Sequence, residues 1–223
     1  MWPPDADSLT GVQRGLADAR PEPWTPRRGR LRVAGCWVCF PRDLTGRGHA
    51  GDPAWAAATV LSEGVVADER VVTGAAGAPY VPGLLALRTG PLLEQAVRAL
   101  VAHPDVLLLD ASGRDHPRRA GLAVHLGAAL GLPTVGITHR PLVGHGEWPA
   151  DRRGATSPVR IGDAVVAAWL RTRPGTRPLV VHPGWRVDLA TAVEVVTRAP
   201  GRHRTPEPLR HARELARRAR TRA

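Results

Sequence analysis

Apolar and polar positions alternate with a changing period along this chain. Between residues 9 and 19, Val12, Leu16 and Ala19 recur at helical spacing, after which Pro21, Pro23 and Pro26 end the helix in a loop. Residues 31–40 are β-like, and two further runs at 55–61 and 64–72 are separated by Ser62 and Glu63 in hairpin fashion. The three runs predict an antiparallel meander. After a loop at 74–83, Leu92, Leu93, Ala96, Val97, Leu100 and Val101 repeat with helical period. Pro91 suits the first position of that helix, and Thr89 would then cap it.

The uninterrupted run Val106-Leu107-Leu108-Leu109 suits a strand covered on both faces. Residues 120–130 read as helix and 134–138 as strand, which gives a β-α-β unit. Strands at 164–170 and 179–181, a helix opening near Asp188 and a helix from about Pro206 complete the order. A meander followed by β-α-β units predicts an α/β fold, with a mixed sheet covered by helices. In such sheets functional groups gather outside the carboxyl ends of the strands, which is where Asp110 falls.

Composition narrows the picture. At 223 residues and 43% hydrophobic content, one domain over 1–223 can enclose a single core. No apolar run approaches a membrane span, and the first residues lack a basic-then-apolar leader, so a cytoplasmic protein without membrane contact is expected, as a monomer. Cys36 and Cys39 stand three apart in a predicted strand, where they point to opposite faces. They are therefore expected as buried structural thiols rather than joint metal ligands.

The net charge of +11 suits a polyanionic partner, DNA or RNA, although all 31 basic residues are Arg, which compositional drift would also produce. Nine arginines against two glutamates lie in the last 26 residues, a basic C-terminal helix or tail from about residue 198. That segment is either a phosphate contact or a solvated charge run.

The densest chemistry follows the apolar run. A carboxylate directly after a buried strand serves as a ligand for a hard cation such as Mg²⁺ or is held by backbone amides. Asp110 is followed by Ala-Ser-Gly-Arg-Asp-His116-Pro117-Arg118-Arg119, a tight turn with an imidazole and paired guanidiniums before a helix. The arrangement suits phosphate binding, or equally a polar loop capping a helix.

Asp110 to Gly127 resemble, position for position, the D-G-x-G-x-x-H-P-R-R-x-G-x-A-x-H-L-G element of the endonuclease V family, with Ala111 in place of its first glycine. Pro79-Tyr80-Val81-Pro82-Gly83 resembles the family's P-Y-I-P-G wedge. Leu132-Pro133-Thr134-Val135-Gly136 resembles its L-P-T-I-G strand, and residues 204–210 its R-x-P-x-P-x-R close. The resemblance spans essentially the whole chain. It implies a ribonuclease H-like fold, recognition of deaminated bases such as inosine, and Mg²⁺-dependent cleavage of a nearby phosphodiester in DNA repair.

On that resemblance Tyr80 and Pro82 belong to the wedge, Gly83, Leu85, Gly113, Leu122, Gly136 and Leu142 to the pocket for a flipped base, and Arg118 to the substrate-binding set. Asp110 is the metal-binding and catalytic carboxylate, with His116 as its catalytic companion. Four family positions are altered: Trp37 replaces a metal-binding Asp, Thr89 a Glu, His139 a Lys and Trp185 the His of G-H-R. Paired-metal hydrolysis needs several carboxylates around ions about 3.5–4 Å apart, and Asp110 alone does not supply them.

The expected function is therefore inosine-directed nucleic-acid binding with weakened or lost cleavage. The alternatives are an endonuclease whose ligands are rearranged onto Asp43, Asp115, His139 or His182, and a fold kept as a protein interaction module. Trp37 and Trp185 are expected to lie together and fill the former metal centre.

Overall fold

The computed structural model describes residues 2–26, 29–199 and 201–223. Its frame is one eight-stranded sheet comprising β1 (Arg32–Cys39), β2 (Pro53–Ser62), β3 (Val65–Ala75), β4 (Val106–Leu109), β5 (Thr134–Thr138), β6 (Thr156–Ile161), β7 (Ala164–Leu170) and β8 (Leu179–Pro183). The order across the sheet is β3-β2-β1-β4-β5-β8-β7-β6. β1, β4 and β5 run parallel, and every other neighbouring pair is antiparallel.

Each helix docks by its apolar stripe. Leu92, Leu93, Ala96 and Val97 of α2 (Leu85–Arg98) and Leu122, Ala123 and Leu126 of α3 (Leu122–Leu130) cover one face. They meet Ala34 and Cys36 of β1 and Leu107 and Leu109 of β4 there, and Leu9 of α1 (Ala6–Asp18) closes the layer. On the other face Val106 and Leu108 join Val135, Ile137 and Val181 beneath α4 (Leu189–Arg198), with Leu209 of α5 (Glu207–Arg222). β4 is thus buried on both sides, which is why its four residues show no alternation. No helix among the described residues is long and apolar enough to cross a membrane.

β1 sets the approach of α5. Its even-numbered side chains face α2 and α3, whereas Gly35, Trp37 and Cys39 face α5. A Cβ on Gly35 would stand 2.2 Å from the Pro208 carbonyl, so only glycine lets the start of α5 come this close. Thr59 Oγ1 then donates to Pro208 O at 3.1 Å. The two cysteines are free, buried and on opposite faces. Burial pushes the Cys36 thiol far above its ordinary range.

Several details depart from the sequence pattern. α2 begins at Leu85, six residues before Pro91, which lies inside it. Burial of Ala86, Arg88 and Thr89 outweighs the proline's missing amide. Thr89 is consequently no cap, and its hydroxyl donates back to Leu85 O at 3.2 Å within the helix. The β2–β3 turn is Glu63-Gly64, one residue later than expected, because both central residues take positive φ (51° and 84°) and glycine accommodates the second at no cost. β6, a strand not expected from the sequence pattern, carries Pro158 and forms the sheet's edge, where proline is tolerated. The basic C-terminal helix expected from about Pro206 is α5, which packs on β1 and β2 with Leu209, Ala212 and Ala216 fully buried.

Candidate nucleic-acid site

A cavity of about 640 Å³ opens at the carboxyl ends of β1 and β4. Parallel pairing of Cys36 with Leu109 brings the next residues, Trp37 and Asp110, side by side on its wall. Thr89 reaches it from α2, and His139, Arg140 and Leu142 from the segment after β5. Tyr80, Gly83, Leu85, His116 and Leu122 also line it. Tyr80 is 44% exposed at the rim.

The three positions that the resemblance assigns to metal-binding acids, Trp37, Thr89 and Asp110, therefore converge on one cavity. Asp110 is their only carboxylate. It is open to the cleft yet enclosed by protein on most sides, and this burial raises its pKa to about 6, against an opposing pull from Arg213. Thr89 is 3% exposed with its hydroxyl committed to the helix. Among the described residues no three His, Cys, Asp or Glu side chains are grouped to hold a metal ion. The residues present do not fit a divalent-metal pair.

Gly83 anchors the rim. Its φ of +80° turns the carbonyl inward, where it accepts from Gln13 Nε2 (3.1 Å), Arg118 Nη2 (2.8 Å) and His116 Nε2 (3.1 Å). Arg118 Nε donates in turn to Gln13 Oε1. The backbone amide of Arg118 donates to His116 Nδ1 at 3.2 Å, which fixes the neutral tautomer with its proton on Nε2. Burial lowers the His116 pKa to about 4. Both ring nitrogens are thus engaged with backbone and neither faces substrate, so His116 positions the Gly83 loop. Arg118 is turned to the same task, and Arg114 Nη1 meets Ala17 O at 2.9 Å at the end of α1. The guanidiniums of Arg118 and Arg114 thus hold protein rather than phosphate.

Asp115 fixes the opposite wall. Fully buried, its carboxylate accepts from the amides of Leu142 (2.6 Å), Val143 (3.1 Å) and Gly144 (2.7 Å). Its lone pairs are spent on that loop, which removes it as a replacement metal ligand. His182 is also fully buried and shares a 2.8 Å hydrogen bond with Thr138 Oγ1. His139 is exposed, its pKa lowered by partial burial and by Arg204 and Arg213.

Pro82, Gly113 and Gly136 do not line the cavity. A Cβ on Gly136 would lie 2.2 Å from Ala111 O, so this glycine lets the Asp110-Ala111 turn pass over β5. Trp185 is not beside Trp37. Its amide donates to Thr134 Oγ1 (2.8 Å) and its carbonyl accepts from Thr134 N (3.1 Å), at the amino end of β5. Trp37 lies at the carboxyl end of the sheet's parallel strands, so the two indoles cannot share the cavity.

Three contributors escaped the sequence reading. Gln13 was hidden in the apolar face of α1. Arg88, 6% exposed, pairs with Asp52 at 3.0 Å, donates to Ala78 O at 2.6 Å and lies over the Phe40 ring, tying the loop that carries Tyr80 to α2. Arg213 of α5 stands 5.7 Å over the Trp37 ring. A lone polar residue in an apolar helical stripe was the available signal for Gln13, and Arg213 had none beyond the local charge.

The sheet order, the helices on both faces and the polar cleft at the parallel strand ends define a ribonuclease H-like α/β protein of nuclease type. The family model described as Endonuclease V matches residues 28–214. Endonuclease V of Roseiflexus castenholzii is 42% identical over 218 residues, 96% of each chain. The crystal structure of endonuclease V from Streptomyces avermitilis superposes with a TM-score of 0.85 at 35% identity, covering 99% of this chain and 95% of that one. A Ciona intestinalis endonuclease V, solved with a 24-mer DNA containing an inosine followed by a ribo-adenosine, shares the fold with a TM-score of 0.80 at 22% identity and 97% coverage of both chains. This chain belongs to the endonuclease V family.

Proposed function

We propose that this protein binds nucleic acid containing a deaminated base, inosine above all, and that its phosphodiester cleavage is weakened or lost. One observation carries the reading: a cavity of about 640 Å³ is kept, while Trp37 and Thr89 leave Asp110 as its sole acid. Gly83, Leu85 and Leu122 offer apolar and backbone surface suited to a base turned out of its stack. Tyr80 at the rim would take the place that base vacates. The Ciona relative's complex with inosine-containing DNA supports the same ligand here.

Hydrolysis through a metal pair has too few ligands. A rearranged set finds little support: His139 lines the cavity with Asp110, but among the described residues no three His, Cys, Asp or Glu side chains are grouped to hold a metal, Asp115 is occupied by three amides and His182 is buried. Titration with labelled DNA and RNA, with and without inosine and with Mg²⁺ or Mn²⁺ present or chelated, tests the reading. The expected result is inosine-favoured binding with nicking at least about a hundredfold below that of an active relative, because each lost transition-state contact is worth about tenfold per 1.4 kcal/mol. Nicking at the relative's rate that Asp110→Ala abolishes would refute it.

A further inference from the structure

Arg213 of α5 does not itself line the cavity but stands behind its Trp37 wall, close enough for its charge to act on Asp110 and His139. Its guanidinium stands over the Trp37 indole at 5.7 Å. Its Nε is shut off from solvent and has no hydrogen-bond partner. Among the described residues no carboxylate lies within ion-pair distance of it, whereas its neighbour Arg210 is paired with both Glu207 and Glu214. A guanidinium with donors unmet and one nitrogen desolvated carries a standing cost that an anion would relieve. The indole face attracts the cation and helps hold it at the cleft, and a guanidinium can grip phosphate oxygens with two prongs.

We propose that Arg213 stands in for the missing metal as the cation that holds a phosphodiester of the bound strand in the cleft. The change of Asp to Trp at position 37 and the arrival of Arg213 are then one exchange: an acid that would hold a metal is gone, and its replacement supports a fixed organic cation. Arg217 and Arg220 follow at one and two further turns of the same helical face, beside Cys39. Arg220 also donates to Phe40 O at 2.9 Å. At a rise of about 1.5 Å per residue the three span roughly 10 Å, about three steps of the roughly 3.4 Å axial rise per nucleotide of a duplex strand. His139, within reach of the Arg213 charge, adds a further donor at the cleft.

The inference rests on the nucleic-acid reading above but not on its base preference. It is tested with labelled oligonucleotides, with and without inosine, titrated over a range of salt in chelator and in Mg²⁺, using the full chain and the variants Arg213→Gln and Arg213→Lys. Melting curves of the variants establish that they fold. The parent should bind equally well, within about twofold, with and without divalent metal. Arg213→Gln should weaken binding about tenfold and reduce the slope of log affinity against log salt by about 1, with Arg213→Lys recovering part of the loss.

Binding that vanishes in chelator overturns the proposal, as does an Arg213→Gln chain with the parent's affinity and salt slope. Arg213-dependent binding without inosine preference supports the phosphate site and refutes the base reading alone. Absence of binding to any oligonucleotide refutes both.

Discussion

Between pH 6.5 and about pH 4 the unfolding free energy of this chain is expected to fall by several kcal/mol, enough to unfold it near the lower end. Three histidines with an ordinary pKa of 6.5 are held neutral in the core, at 2% exposure for His116, 4% for His125 and 0% for His182, and burial brings each to about 4. Hydrogen bonding to Gly83 O and the Asp115 charge oppose the shift at His116, as Glu94 does at His125 and Asp115 at His182. In this window the unfolded chain takes up protons that the folded chain refuses. Each histidine then costs about 1.4 kcal/mol of stability per pH unit as pH falls, and nothing further once both states are protonated.

Asp110 acts in the opposite sense, since the folded chain protonates it first, and offsets part of the loss. Against a typical total of about 5–15 kcal/mol, the remainder is large. Denaturant titrations across the window measure it. His125→Phe keeps a ring stacked on Trp2, where the centroids are 4.3 Å apart, and removes one titrating group, so its stability should decline less steeply with acid than the parent's. Stability that holds level down to pH 5 would show that these imidazoles are not held neutral.

The sequence disclosed most of the sheet because its strands carry their own signals. The Val106–Leu109 run, the β1 alternation and the helical stripes of α2 and α4 each encode a local period that packing preserves. Misreadings arose where a residue's local preference and its tertiary use conflict. Pro91 reads as a helix start, but burial on both sides of it decides otherwise, and Pro158 reads against a strand that lies at an edge.

The candidate site was legible through its motif residues, since Asp110, Gly83, Leu85, Leu122 and Leu142 do meet at one cavity. What could not be read was the destination of each side chain. His116 and Arg118 look like chemistry in one dimension, yet both point to Gly83 O. On the family resemblance Trp37 and Trp185 both replace motif residues, but a five-residue strand separates their ends of the sheet. Arg213 is one of many arginines until α5 folds back over β1 and sets it on Trp37.

Asp115→Ala is expected to destabilise the fold by about 3 kcal/mol or more and to abolish selective binding in the cleft. Among the described residues the carboxylate is the only hydrogen-bond acceptor for the amides of Leu142, Val143 and Gly144, and it is inaccessible to solvent. Removing it leaves three donors unmet at about 1–3 kcal/mol each, less whatever the loop recovers by turning outward to water. That recovery is itself damaging, because Leu142 and Pro141 line the cavity and would leave its wall.

Asp115→Asn separates the two effects. Its side-chain oxygen can keep the amides of Val143 and Gly144, which share one carboxylate oxygen, while its amino group meets the Leu142 amide donor to donor. About 1–2 kcal/mol should be lost, with affinity falling in proportion to the displacement of Leu142. Chemical denaturation and oligonucleotide titration on the same samples provide the comparison. An Asp115→Ala chain as stable as the parent would mean that the loop finds other acceptors, and unchanged selective binding would place the recognition surface away from Leu142.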